Sequence, residues 1–182
     1  ELGAEARPVL DALRSYLRAT DARTRLRARD RGHAAVAVLR VAGPDEEAFA
    51  AIRALLDSTR GLDREQAIDH LLELGEVARP LWPGLLAALR DGRGVPVLRP
   101  TDRPIPDRVC WVACDAVVAL AARDLVPDLR RMVQEEDGFA LVAAYHALRG
   151  LGERPRDEAR ALAESWRLEQ EDEATKARGG TG

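Results

Sequence analysis

Residues 67–91 read Ala67-Ile68-Asp69-His70-Leu71-Leu72-Glu73-Leu74-Gly75-Glu76-Val77-Ala78-Arg79-Pro80-Leu81-Trp82-Pro83-Gly84-Leu85-Leu86-Ala87-Ala88-Leu89-Arg90-Asp91. An apolar helix runs into a Leu-Gly stop, a proline opens a second apolar helix, and an Asp-Gly pair closes it. Ala67 and Leu71 lie one turn apart on one helical face. Gly75 ends the first helix because glycine takes the left-handed conformation at little cost. Pro80 suits the first turn of the next helix, where its missing N–H is not needed. The stretch therefore predicts one helical hairpin.

The rest of the chain reads as copies of that hairpin. With an anchor at the small residue ending the first helix of each copy, the anchors are Gly3, Gly43, Gly75, Ala122 and Gly152. They recur at intervals of about 30–47 residues, the period of a helix-pair solenoid. Four positions before the anchor stand Leu39, Leu71, Val118 and Leu148; eight before stand Ala35, Ala67, Cys114 and Ala144. Five after the anchor, Pro8, Pro80 and Pro127 open the second helix. The large aliphatic fills the space between helices, and the small residue lets the partner helix approach. Ten after the anchor, Leu13, Leu85, Met132 and Leu162 continue the apolar face, with Arg53 as the exception.

On the segments Ala67 to Asp91, Asp107 to Val133 and Asp137 to Gly152, the chain resembles HEAT-type repeats, including the short HEAT-like repeats of bilin lyases. The resemblance implies an all-α right-handed solenoid of about five helical hairpins. It implies a scaffold or binding surface more than an active site.

Composition agrees with close helix packing. The 182-residue chain is 46% apolar but only 4% aromatic, which suits Ala/Leu/Val packing and argues against aromatic-rich sheets. The net charge of −3 gives no global pull toward nucleic acid or an anionic membrane. Lys176 is the only lysine, so the basic residues are otherwise arginine. No stretch is long and apolar enough for a transmembrane helix. Cys110 and Cys114 lie four apart on one helix, where a disulfide is geometrically awkward. Cys114 takes the slot of Ala35, Ala67 and Ala144 and reads as a small core residue; reduced thiols predict a cytoplasmic protein.

Along the chain, a helix is expected from Glu5 to about Arg18, then a polar connector over residues 19–30. Helices follow from about Gly32 to Ala42, over 46–57, from an Asp63 cap to Gly75, and over 77–90. Residues 91–106 hold four prolines and two glycines and cannot form a regular helix, although a short extended pair within 95–106 is possible. Asp107 caps a helix to about Ala121, Asp124 caps its partner to Glu135, Asp137-Gly138 starts another, and a last helix runs from about Pro155 to Leu168. Residues 1–168 read as one HEAT-like repeat domain, truncated at its N-terminus, and 169–182 as a charged, Gly-rich disordered tail. Val9, Leu10, Leu13 and Leu17 cannot all be buried by one neighbour, so the N-terminal edge is expected to be covered by an upstream segment or a self-contact.

No catalytic constellation is predicted. His33, His70 and His146 sit at different offsets from their anchors and do not share a face; no His-Glu-x-x-His or Cys-x-x-Cys spacing is present. The serines Ser15, Ser58 and Ser165 lack a nucleophile-elbow context. Trp82, Trp111 and Trp166 read as packing residues at helix seams.

The candidate partner-binding residues are Arg23, Arg25, Arg27, Arg29 and Arg31, alternating along the connector, and Val97, Leu98, Arg99, Arg103 and Ile105 in the proline-stiffened loop. Both segments are insertions after the second helix of a unit, so a solenoid would place them on one edge. The expected function is a non-catalytic protein-interaction scaffold without cofactor or metal. Its partner is expected to be another protein or another domain of the same protein, with no membrane. Two alternatives stand beside it. One is a nucleic-acid-associated repeat protein using the Arg23–Arg31 run; the other is an enzyme-accessory factor of bilin-lyase type.

Overall fold

In the computed structural model the described residues are 7–18, 26–90, 108–136 and 138–154, the side chains of 26–29, 108, 138 and 139 excepted. Among them the chain is all-α, with no strand. The helices are α1 (Arg7–Arg18), α2 (Leu26–Ala42), α3 (Glu46–Leu56), α4 (Gly61–Leu74), α5 (Pro83–Leu89), α6 (Arg108–Ala119), α7 (Val126–Glu135) and α8 (Gly138–Gly150). The anchor at Gly3, the extended pair in 95–106, the helix over 155–168 and the tail 169–182 lie outside the described residues.

Packing follows chain order in two rows. α2 touches α4, α4 touches α6, and α6 touches α8; α1 touches α3, and α3 touches α5. Helices of one row pack against those of the other through the pairs α1–α2, α2–α3, α3–α4, α5–α6 and α7–α8. One apolar core runs between the rows from Leu17 to Leu151.

The register of the fourth unit differs from expectation by one residue. Gly43, Gly75 and Gly152 have φ of 82°, 57° and 80°, and the matching position is Ala121, with φ 49°. The backbone bonds agree. Ala121 N–H reaches the Val118 carbonyl and Ala122 N–H the Val117 carbonyl. Gly152 N–H and Glu153 N–H make the same pair of bonds to Arg149 and Leu148. These are the two bonds of a Schellman end. Counted from Ala121, the eighth position back is Ala113, so the column reads Ala35, Ala67, Ala113, Ala144, all fully buried. The fourth position back is Val117, fully buried like Leu71 and Leu148. Cys114 is buried beside this column and does not occupy it. The small slot is thus alanine in every described unit.

Other boundaries also move. α2 begins at Leu26, so residues 26–30 of the expected connector are helical. The stretch after Gly75 is not one helix: a 3-10 turn spans Gly75–Leu81, and α5 starts only at Pro83. Pro80 and Pro83 both lack an N–H, and two such gaps three residues apart interrupt the α-helical ladder. α4 begins at Gly61 without a side-chain cap; Asp63 sits in its first turn and accepts a hydrogen bond from Ser58 Oγ at 2.8 Å.

Asp45 is the cap of α3. It accepts from Ala48 N at 3.1 Å and from Arg14 Nε at 3.0 Å. Burial alone would raise its pKa; the Ala48 and Arg14 hydrogen bonds outweigh that and hold it below the usual carboxylate range. Asp45→Ala is expected to cost about 0.5–2 kcal/mol. Asp45→Asn keeps the cap and loses the charge pair, so thermal unfolding of the two variants separates the contributions. Because the folded pKa is depressed, the charge-dependent part is present above the unfolded value and disappears as pH falls through the folded one.

Candidate functional site

Of the ten candidate partner-binding residues, only Arg31 has a described side chain. Arg27 and Arg29 fall within the span of α2, and Arg23, Arg25, Val97, Leu98, Arg99, Arg103 and Ile105 lie outside the described residues. Arg31 is half-buried, and its Nη2 donates to the Leu17 carbonyl at 2.5 Å, satisfying an open acceptor at the end of α1. It lines a groove of about 380 Å³ with Leu17, Arg18, Glu47, Ala50 and Leu55. Arg18 Nε donates to both carboxylate oxygens of Glu47, at 2.8 and 3.0 Å. The groove joins α1, the start of α2, and α3. Arg18 and Arg31 thus each meet a partner on a neighbouring helix.

A second groove, also about 380 Å³, lies between α6 and α8. Trp111, Cys114, Asp115, His146 and Gly150 line it. Trp111 and His146 meet edge to face with centroids 5.5 Å apart. A Cβ at Gly150 would stand 2.3 Å from Val118 Cγ2, so the glycine lets these helices approach closely at one end. Burial, then the Asp115 charge and Cys110, push the Cys114 thiol up to about 12. At neutral pH it is a protonated, poor nucleophile. Trp82, by contrast, is buried in the core, with the Arg79 guanidinium 5.8 Å from its ring centre.

The histidines differ from expectation. The rings of His33 on α2 and His70 on α4 meet edge to face at 5.0 Å. Their offsets from Gly43 and Gly75 differ, but offsets within a unit do not predict contacts between units. His70 is buried, with Gly32 below it: a Cβ at Gly32 would lie 2.6 Å from His70 Nε2. Gln66 Nε2 is 3.4 Å from His70 Nε2, and Glu73 Oε2 is 3.8 Å from Nδ1. Burial lowers the His70 pKa, His33 lowers it further, and Glu73 and Asp69 oppose the shift.

Because the folded pKa is depressed, the unfolded chain takes up the proton first. Stability from neutral His70 is therefore full above about pH 6.5. It falls as pH drops toward the folded value, with a slope of at most about 1.4 kcal/mol per pH unit. Melting curves between pH 7.5 and 5.5 should show this slope, and His70→Gln should flatten it. An unchanged slope would assign the pH dependence elsewhere.

Among the described residues no group of three or more His, Cys, Asp or Glu side chains is placed to hold a metal ion. No helix among them is long and apolar enough to cross a membrane. No family model, curated protein or solved structure matches the chain.

What the described surface does carry is a set of ion pairs between successive units. Arg14 pairs with Asp45, Arg18 with Glu47, Arg40 with Glu73, Arg79 with Asp124, Arg90 with Glu136, and both Arg123 and Arg130 with Glu153. The sequence offered no local signal for these pairs, since the partners lie 23–46 positions apart. Apart from the part-buried Arg14–Asp45 pair, they lie at the surface, where ion pairs add little stability.

Proposed function

We propose that the chain is a right-handed solenoid of about five HEAT-like hairpins and acts as a non-catalytic protein-interaction scaffold in the cytoplasm. The observation that carries this reading is the chain-ordered contact of α2, α4, α6 and α8, each unit repeating a left-handed end, a buried alanine and a buried aliphatic. A repeating core of this kind is stabilised by neighbouring units, which leaves outer faces free to bind. The partner is another protein or a further domain of the same protein. Cys110 and Cys114 are both buried thiols, which fits a reducing compartment.

Small-angle X-ray scattering tests the architecture. A stack gives a skewed, elongated distance distribution, whereas a symmetric distribution typical of a compact bundle overturns it. Replacing residues 93–105 by a short Gly-Ser linker tests the binding role of the long loop. Retained stability with loss of a partner captured by the intact chain supports it. Unfolding with unchanged binding assigns the loop to structure.

The nucleic-acid reading is weaker because Arg31 is engaged by the Leu17 carbonyl. Fluorescence anisotropy with duplex DNA and single-stranded RNA at low and high salt decides it, since phosphate-driven binding falls steeply with salt.

A further inference from the structure

The groove between α6 and α8 holds a carboxylate beside an aromatic ring. Trp111, Asp115 and Val118 stand at i, i+4 and i+7 of α6, so they form one stripe about 10 Å long. His146 and Gly150 of α8 line the other side, and the buried Cys114 lies at the floor. At one end Gly150 closes on Val118, where the absence of a Cβ permits the approach. At the other, the Trp111 and His146 rings meet edge to face.

Asp115 is exposed, and among the described residues its carboxylate makes no hydrogen bond or ion pair. The carboxylates of Asp45, Glu47, Glu73, Asp124, Glu136 and Glu153 each meet an arginine of another helix. The Asp115 charge is nevertheless felt within the groove: after burial, it is the largest influence raising the Cys114 thiol.

Two other rings carry a cation of their own. Arg149 stands four positions after Tyr145, its guanidinium 6.0 Å from the ring centre. Arg79 stands three positions before Trp82, at 5.8 Å. Four positions after Trp111 the chain has Asp115 instead. A cation seated there meets a ring and an opposite charge together, and it has to come from outside the described fold.

The two groups select among cations. A guanidinium is planar and weakly hydrated, so it lies against a ring, and its fork of N–H donors matches both oxygens of a carboxylate. A lysine ammonium brings a compact, strongly hydrated charge without the flat face. A methylated ammonium is held by a cage of rings, and here Trp111 and His146 pack against each other.

We propose that the α6–α8 groove receives an arginine side chain of a partner protein, paired with Asp115 and lying against the Trp111 ring. The proposal rests on the protein-interaction reading above and gives that partner a chemistry: an exposed arginine on the segment that docks over α6 and α8. Because the charges are exposed, the contact weakens with salt.

Nuclear magnetic resonance of the full chain tests it through the indole N–H signals of its three tryptophans, with Trp111→Phe identifying the one that matters. The probes are the blocked peptide acetyl-Gly-Arg-Gly-amide, the same peptide with lysine or with the uncharged citrulline in the middle, and free arginine. The arginine peptide is expected to shift the Trp111 signal saturably, with half-saturation at about 1 mM. The lysine and citrulline peptides should bind at least about tenfold more weakly. Asp115→Asn keeps the shape and removes the charge, so it should weaken the arginine peptide by about tenfold or more while leaving the other signals in place. No saturable shift up to about 20 mM overturns the site and leaves the scaffold reading to its own tests. Equal binding of the lysine or citrulline peptide, or undiminished binding by Asp115→Asn, also overturns it. Binding of free arginine with exclusion of the peptide makes the groove a small-molecule site, and then both the docked arginine and the protein-interaction reading of this face fail.

Discussion

Leu71→Ala should lower the unfolding free energy by about 2–5 kcal/mol, the range for removing a large aliphatic from a rigid core. Leu71 is fully buried on α4, which packs against α2, α3 and α6. A cavity there opens between helices of both rows and cannot be closed by moving one neighbour. Leu148→Ala removes the equivalent side chain of α8, also fully buried, and α8 packs against α6 and α7. Urea unfolding of both variants checks the prediction, and a loss under 1 kcal/mol at Leu71 would show that this column is not the core.

That core was largely legible in the sequence because glycine marks the positive-φ helix ends at Gly43, Gly75 and Gly152. From those marks the buried aliphatics followed by helical spacing. The fourth unit was misread because its left-handed residue is Ala121, and alanine carries no such mark. The start of α2 was hidden for a related reason: residues 27–31 are alternating arginines, with no apolar stripe to announce a helix. The break between Gly75 and Pro83 could be read as a turn or as a first helical turn, and Pro80 fits both. The contacts between units were less legible. Neither the His33–His70 contact nor the inter-unit ion pairs have any period within a unit; they depend on how one unit sits on the next.

The corrected register makes a second large prediction. Ala113→Leu should cost about 1–3 kcal/mol or more, since added carbons have no room at a fully buried helix–helix approach. Cys114→Ala, one residue along, removes a single sulfur at the edge of the α6–α8 groove and should cost less than about 1 kcal/mol. If the small slot were instead at Cys114, leucine at 113 would be accommodated and leucine at 114 would not. Thermal unfolding of Ala113→Leu, Cys114→Leu and Cys114→Ala orders the three directly.

The arginines that fasten one unit to the next are also the bonds a trypsin-like protease cuts, and Lys176 is the only competing lysine. Arg40, Arg79, Arg90, Arg123 and Arg130 each hold a carboxylate of the following unit. A protease must pull several residues out of the fold before cleaving, so the rate at each of these bonds reports how often that particular joint opens. The ordered appearance of fragments under limited digestion would rank the joints by strength, and the first cut would mark where the molecule bends or comes apart.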